Sequence, residues 1–398
     1  MTLSLAIDGV EVVAGATSVE ARTRPPFDED TLALLAALSS ALRGSKDAKA
    51  NPDLATFAFW CRKANTARLK KAFDHGRRRL GRGTVLHIAP SNVAVNFAFS
   101  WAFGLLSGNA NIVRVPSNPF PQVDIFCDVL SKLLAEPEFA EFAAANAFIR
   151  YPRNDAVTAR LSLACDARVI WGGDETVSHI RALPMAVHGV EIAFVDRYSF
   201  CILDAATVAR LDDKELERLA NGFYNDAYLM DQNACSSPHL VVWLGDAKKA
   251  QARFWNAVGA VAHRKYGLEP IFAVDKYTDL LETVAARDDI TQVERIRNDV
   301  YRISLARVGL ETETLRGRFG TFYEYEAASL DEFKVMVSRK CQTITYFGVD
   351  GASIGDFVVA GRLTGVDRVV PVGQALDMNV IWDGIDVCKT LSRIVDVR

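Results

Sequence analysis

Between residues 84 and 194 short β-branched runs alternate with stretches whose apolar residues recur at helical spacing. GTVLHIA, NIVRV, FIRYP, ARVIWGG and VEIAFVD read as strands. The apolar stretch from Val93 to Leu106, QVDIFCDVLSKLLA, NDAVTARLSLA and DETVSHIRAL read as helices, the last opened by an acidic cap. The pattern predicts an α/β fold with a doubly wound parallel sheet. Ligands on such sheets sit at the carboxyl ends of the strands. Here those ends are Ala89-Pro90-Ser91-Asn92, Val115-Pro116-Ser117 and Trp171-Gly172-Gly173-Asp174.

On the amino-terminal side, LSLAIDG and EVVAG read as a hairpin or arm, and residues 29–74 as helices, with Gly44 a stop after LALLAALSSALRG. A second α/β unit starts near residue 199. In it YSFCIL is a strand, DDKELERLANGFY a helix, YLMDQNACSSP a loop and HLVVWL a strand. Polar-faced helices are predicted over about 247–265 and 276–300, followed by CQTITYFG and GVDRVVPVG. This divides the chain into a helical segment with a dinucleotide-binding domain (1–198), a cysteine-bearing domain (199–372) and an end segment (373–398) expected to serve oligomerisation.

A chain of 398 residues, half of it apolar, has enough material for more than one core. The net charge of −3 gives no electrostatic reason to expect nucleic acid. Val93–Leu106 is too short and too often interrupted by polar residues to cross a bilayer of about 30 Å. The first residues carry Asp8 and Glu11 inside their apolar stretch, unlike a signal peptide. The seven cysteines are widely spaced with no C-x-x-C, which argues against a disulfide framework and against a metal site. A reducing, cytoplasmic setting follows as the expectation.

Cys235 differs from the other six cysteines. It lies in a small, polar loop, MDQNACSSPH, where Gln232, Asn233, Ser236 and Ser237 offer hydrogen bonds. A thiolate needs such access and polarity. The alternative reading is a cysteine that fills a turn. No histidine stands in a recognisable protease context, and His188 and His239 read as structural. The basic run from His75 to Arg82 reads as a solvated helix end, with coenzyme A phosphates as the other reading.

GTVLHIAPSN, GNANIVRVPS, VIWGGDETV and DQNACSSP, in that order and spacing, resemble the aldehyde dehydrogenase superfamily. DQNACSSP, QTITYFG, and GVDRVVPVGQALD followed by WDGIDV are similar to the fatty acyl-CoA reductases of the bacterial luminescence type. The resemblance covers roughly residues 80–398. It implies that Cys235 is the catalytic cysteine and that the Asn92 side chain helps hold the oxyanion. It implies that Arg114 and Ser117 approach the adenosine ribose, and that Gly172 and Gly173 approach the cofactor phosphates. An arginine at 114 favours a 2′-phosphate, hence NADPH, with NADH as the alternative.

Two departures from the superfamily matter. The water-activating glutamate of oxidising members falls on or near Ala193, with Glu191 two residues away on the same strand face. The glutamate that holds the nicotinamide ribose falls on Gly317, in Gly317-Arg318-Phe319-Gly320. An acyl-cysteine without a water-activating base is a reductase intermediate, so the expected activity is reduction of an acyl-CoA to the aldehyde. An acyl-phosphate reductase, a hydrolytic aldehyde dehydrogenase and a non-catalytic subunit of a fatty acid reductase complex are the alternatives. The resemblance further implies a homo-oligomer and leaves room for partner enzymes that supply the acyl group.

Overall fold

The computed structural model describes residues 2–73 and 76–398. The chain divides into two compact units, Met1–Val195 with Met378–Arg398, and Asp196–Asp377.

The first unit begins with three short strands, β1 (Thr2–Ser4), β2 (Glu11–Gly15) and β3 (Ser18–Glu20). The predicted hairpin of LSLAIDG with EVVAG does not form. β1 pairs instead with β3, and β2 joins a larger sheet as an antiparallel edge beside Asn146–Arg150. Four helices follow: α1 (Glu29–Gly44), α2 (Lys46–Ala50), α3 (Pro52–Trp60) and α4 (Lys63–Ala72). α1 starts where the Asp28 carboxylate accepts from the Asp30 and Thr31 N–H groups.

Strand–helix alternation then builds the sheet. Its elements are β4 (Arg79–Gly81), β5 (Thr84–Ile88), α5 (Asn96–Leu106), β6 (Ala110–Arg114), α6 (Pro121–Leu134), α7 (Ala140–Ala145), β7 (Asn146–Arg150), α8 (Asp155–Ala164), β8 (Ala167–Trp171), α9 (Asp174–Arg181) and β9 (Val190–Phe194). The six-stranded sheet has the order β2-β7-β6-β5-β8-β9, and all but β2 run parallel. The strand order reverses at β5, so the crevice between the carboxyl ends of β5 and its neighbours is the place for a ligand. α5 is buried except at Asn96 and Phe99. It meets the sheet through a buried polar network. His87 Nε2 donates to Asn111 Oδ1 (3.0 Å), and Ser100 Oγ lies 2.8 Å from His87 Nδ1 while accepting from Trp171 Nε1 (2.9 Å). Burial holds the His87 pKa down at about 4, so the ring is neutral and can accept at Nδ1. The segment from Met378 on also belongs to this unit, where Ser392–Ile394 pairs antiparallel with β4.

The second unit contains β10 (Tyr198–Asp204), α10 (Ala205–Arg210), α11 (Asp213–Ala227), β11 (Pro238–Leu244), α12 (Lys248–Lys265), α13 (Pro270–Ala286), β12 (Ile290–Ile296), β13 (Val300–Leu305), β14 (Thr321–Ala327), β15 (Cys341–Phe347), α14 (Gly351–Ala360) and β16 (Arg368–Pro371). Its seven-stranded sheet has the order β12-β13-β14-β11-β10-β15-β16, parallel except for β12. The helix expected over 276–300 is a correction. α13 ends at Ala286, and Ile290–Ile296 is an edge strand antiparallel to β13. Helical and β spacing overlap in a run as short and polar as ITQVERI, and pairing with β13 decided it. Among the described residues no helix is long and apolar enough to cross a membrane.

Candidate active site

In the first unit, Asn92, Arg114, Ser117, Gly172 and Gly173 line one cavity of about 520 Å³. It lies at the carboxyl ends of β5, β6 and β8, the end named from the sequence pattern. Asn92 is exposed in the turn between β5 and α5. Arg114 ends β6. Its Nη2 donates to the Tyr151 carbonyl (3.3 Å) and its guanidinium stands 4.5 Å over the Tyr151 ring, while the buried Nε has no protein partner. Arg153, which the motifs did not point to, is exposed on the same cavity.

α9 is capped by Gly173, which offers no side chain, so this helix start has no side-chain cap. The acidic residues read as the cap, Asp174 and Glu175, sit inside the first turn instead. A Cβ at Gly173 would meet nothing within 4 Å, so the backbone there is open to a close approach. A helix start without a side-chain cap, an orphaned arginine N–H and a cavity at a strand-order reversal fit the dinucleotide expected from the sequence. The two first-turn carboxylates are the feature that a pyrophosphate would have to avoid.

Glu191 is occupied elsewhere. Its Oε2 accepts from Arg168 Nε (2.8 Å) and Nη2 (2.5 Å), and its Oε1 from Arg181 Nε (2.7 Å). It pairs with Arg168 near the amino end of β9, away from the strand ends that form the cavity. Ala193 packs against the apolar core of this unit. His75 of the basic run lies outside the described residues. Farther along that run, Arg79 Nη1 donates to Ser392 Oγ (3.1 Å) and Arg82 Nε to the Thr390 carbonyl (2.7 Å), so both arginines brace the returning chain.

Cys235 belongs to the second unit. It is half-buried, while the other six cysteines are buried. Burial pushes the thiols of Cys127, Cys165 and Cys388 up to about 12, and that of Cys201 higher still. The loop between α11 and β11 holds Cys235 at the amino end of the parallel strands. Two consecutive residues, Asp231 (φ 51°) and Gln232 (φ 62°), take the left-handed conformation that side chains disfavour.

Buried hydrogen bonds hold this turn. Gln232 Oε1 accepts from the N–H groups of Gly320 (2.8 Å) and Thr321 (3.1 Å), and its Nε2 donates to the carbonyls of Thr321 (2.9 Å) and Pro238 (3.3 Å). Ser237 Oγ donates to the Asp226 carbonyl (2.7 Å), and Ser199 Oγ to the Cys235 carbonyl (2.7 Å). Gln342 Nε2 lies 3.2 Å from the Cys235 Sγ. The motif QTITYFG marked this segment, but strand pairing of β15 with β10 was needed to bring it to the cysteine.

His239 is structural. Its Nδ1–H donates to the Gly317 carbonyl (3.0 Å), it stacks on Tyr198, and burial lowers its pKa to about 3. His188 is exposed. At Gly317 a Cβ would meet the Thr321 carbonyl at 1.8 Å, so no glutamate fits this backbone. Among the described residues there is no cluster of acidic, histidine or cysteine side chains able to hold a metal ion.

The sequence matches the acyl-CoA reductase (LuxC) family over residues 67–299, more than half of the chain. No curated protein matches it. Solved structures share the fold at low identity. The 1-pyrroline-5-carboxylate dehydrogenase from Thermus, with bound NAD, superposes with a TM-score of 0.61 at 13% identity, over 94% of this chain and 81% of that one. Aldehyde dehydrogenase 21 from Physcomitrella patens, in complex with the product succinate, gives a TM-score of 0.63 at 12% identity, over 93% and 86%. The fold is therefore that of the aldehyde dehydrogenases.

Proposed function

We propose, from the premise that this chain belongs to the acyl-CoA reductase (LuxC) family, that it reduces an acyl-CoA, with a fatty acyl chain, to the aldehyde through an acyl group held on Cys235. The observation that carries the reading is the state of the cysteines: Cys235 alone is half-buried, and its loop is pinned by buried hydrogen bonds. The Cys235 thiolate attacks the thioester carbonyl, and coenzyme A leaves as the thiol. Asn92 keeps the oxyanion role that the resemblance gives it, a contribution on the order of 3 kcal/mol for one such donor. A reduced nicotinamide dinucleotide, when bound, supplies the hydride. Arg114, Ser117 and the Gly172-Gly173 turn hold it, and Arg114 and Arg153 favour NADPH over NADH through the extra phosphate.

At the two positions where the resemblance puts a water-activating base no free carboxylate stands, which supports reduction over hydrolysis. Ala193 offers no carboxylate, and Glu191 is committed to two arginines. We further propose a homo-oligomer working in the cytoplasm.

The test is a two-stage reaction. The protein is mixed with acyl-CoA alone, and Cys235 is the residue expected to gain the acyl mass. Adding NADPH then consumes absorbance at 340 nm and releases aldehyde. Acylation of any other cysteine, or transfer from an acyl phosphate but not from acyl-CoA, overturns the reading.

A further inference from the structure

We propose that Gln342 is a catalytic residue, whose side-chain amide donates to the Cys235 sulfur and stabilises it as the thiolate. The proposal rests on the reading of Cys235 as nucleophile. Gln342 Nε2 stands 3.2 Å from Sγ, and the residue is 1% exposed. Its orientation is set by a neighbour. Thr343 Oγ1 donates to Gln342 Oε1 (3.1 Å), which turns the N–H end to the sulfur. Ser199 closes the ring by accepting from the Thr343 N–H (3.1 Å) and donating to the Cys235 carbonyl (2.7 Å). Ser199, Gln342 and Thr343 are all buried, so β10 and β15 hold the cysteine at both its main chain and its sulfur.

The position in the sheet explains why a side-chain donor is required. At the carboxyl ends of parallel strands helices begin, and their free N–H groups favour anions. Cys235 lies at the opposite end, where the chain arrives from helix carboxyl termini such as that of α11. Helix carboxyl termini present carbonyls there and offer a thiolate no backbone donor. The neighbouring imidazole offers no remedy, because His239 is neutral and its N–H is spent on Gly317. An amide N–H donates more strongly to S⁻ than to a neutral sulfur, so it lowers the cost of ionisation.

In the acyl-transfer step the Sγ electron pair forms the bond to the thioester carbon. The carbon–sulfur bond to coenzyme A breaks, its electron pair leaves on that sulfur, and the sulfur takes a proton from solvent. Whenever Sγ leaves the carbon again, its charge returns and meets the same N–H.

Charged and titratable groups stand on every surrounding element, Arg197 ahead of β10 paired with Asp367 and Lys340 ahead of β15 paired with Asp196 among them. Asp226 on α11 accepts from the Gly373 and Ala375 N–H groups, and Asp231 of the loop from Tyr266. Arg316, ahead of β14, pairs with Asp196 and lies over Tyr198, and Cys341 on β15 is buried. They are common to wild type and variants, so a difference between the two isolates Gln342.

The test is the pH profile of iodoacetamide alkylation at the Cys235 peptide, followed by mass spectrometry. Gln342→Leu is expected to move the midpoint up by about one pH unit and to slow alkylation at pH 7 roughly tenfold. Gln342→Glu, with a carboxylate in place of the donor, is expected to move it further. Thr343→Val keeps the amide but frees its orientation, and gives a smaller rise should the Gln342 variants not fold. Midpoints that coincide with wild type in every variant with a native circular dichroism spectrum overturn the proposal. Alkylation needs no acyl substrate, so it decides on Gln342 whether or not wild-type Cys235 accepts an acyl group from acyl-CoA, which is the separate test of the function.

Discussion

The two parallel sheets of this chain carry their candidate chemistry at opposite ends. In the first unit the cavity opens at the carboxyl ends of β5, β6 and β8, beside exposed Asn92 and Arg153 and a helix start without a side-chain cap. In the second unit the cysteine lies at the amino ends, where Gln232, Ser237, Ser199 and Gln342 are buried and bonded within the protein. The first region suits a ligand that supplies its own phosphates to strand ends and helix dipoles. The second holds its polarity in buried side chains, because helix carboxyl termini at that end offer no backbone donors to an anion. A binding region can thus be built at strand ends and a helix start, and a nucleophile at the end without backbone donors needs side chains fixed by the core.

The contrast can be broken most directly at the sulfur. Cys235→Ser is expected to abolish acylation by acyl-CoA while leaving cofactor binding in the first unit unchanged, as titration of cofactor fluorescence would show. Loss of both together would mean that the two regions do not divide the work as described.

Gln232→Ala tests how firmly the cysteine end is pinned. It strips partners from the Gly320 and Thr321 N–H groups and from buried carbonyls around a left-handed turn. A loss of roughly 3 kcal/mol in urea unfolding is expected. An unchanged urea midpoint would show that the turn holds without its clamp.

Each unit also buries a neutral histidine. Ordinary histidine titrates near 6.5, whereas burial holds His87 at about 4 and His239 at about 3. As pH falls from 6.5 towards 4, the unfolded chain takes up protons that the folded chain refuses. Stability contributed by each site is therefore present above 6.5 and lost on acidification, by roughly 1 kcal/mol per pH unit for each histidine. His239→Asn, which keeps a donor near the Nδ1 position, is expected to reduce that slope by about half. A slope indifferent to both histidines would refute their neutral burial.

Smaller effects sharpen the first region. Arg114→Ala should weaken NADPH several-fold to tenfold more than NADH, since a charge-assisted contact to phosphate is worth about 1 kcal/mol or more. Equal weakening would move the phosphate to Arg153. Smallest of all is the expected effect of Glu191→Gln on catalysis, because the carboxylate only joins Arg168 to Arg181. Repeated turnover of aldehyde to free acid without a thiol, abolished by this substitution, would instead make Glu191 a base and the protein a hydrolytic enzyme.

Much of the first region was legible in the chain. Five β-branched runs separated by helical spacing require a parallel sheet, and the residues after each run must then stand at its carboxyl edge. Asn92, Ser117 and Gly172-Gly173 follow from that rule alone. The second region was legible at Cys235, through the small polar residues around it, and QTITYFG was marked by resemblance without any sign of what it touches. Gln342 is 107 positions away in sequence, and nothing local distinguishes it from any glutamine at a strand start. The same limit explains the misread stretch at 290–296, whose pattern suits a helix as well as a strand until β13 lies beside it.

By itself the sequence determined the strand and helix alternation, the ligand end of the first sheet and the one cysteine in a polar loop, because these depend on periodicity and local chemistry. Tertiary structure decided that Glu191 is spent on arginines, that Gly317 admits no side chain and that Gln342 meets the sulfur. Those outcomes depend on which strands pair and in what register, and register joins residues that the chain order keeps far apart.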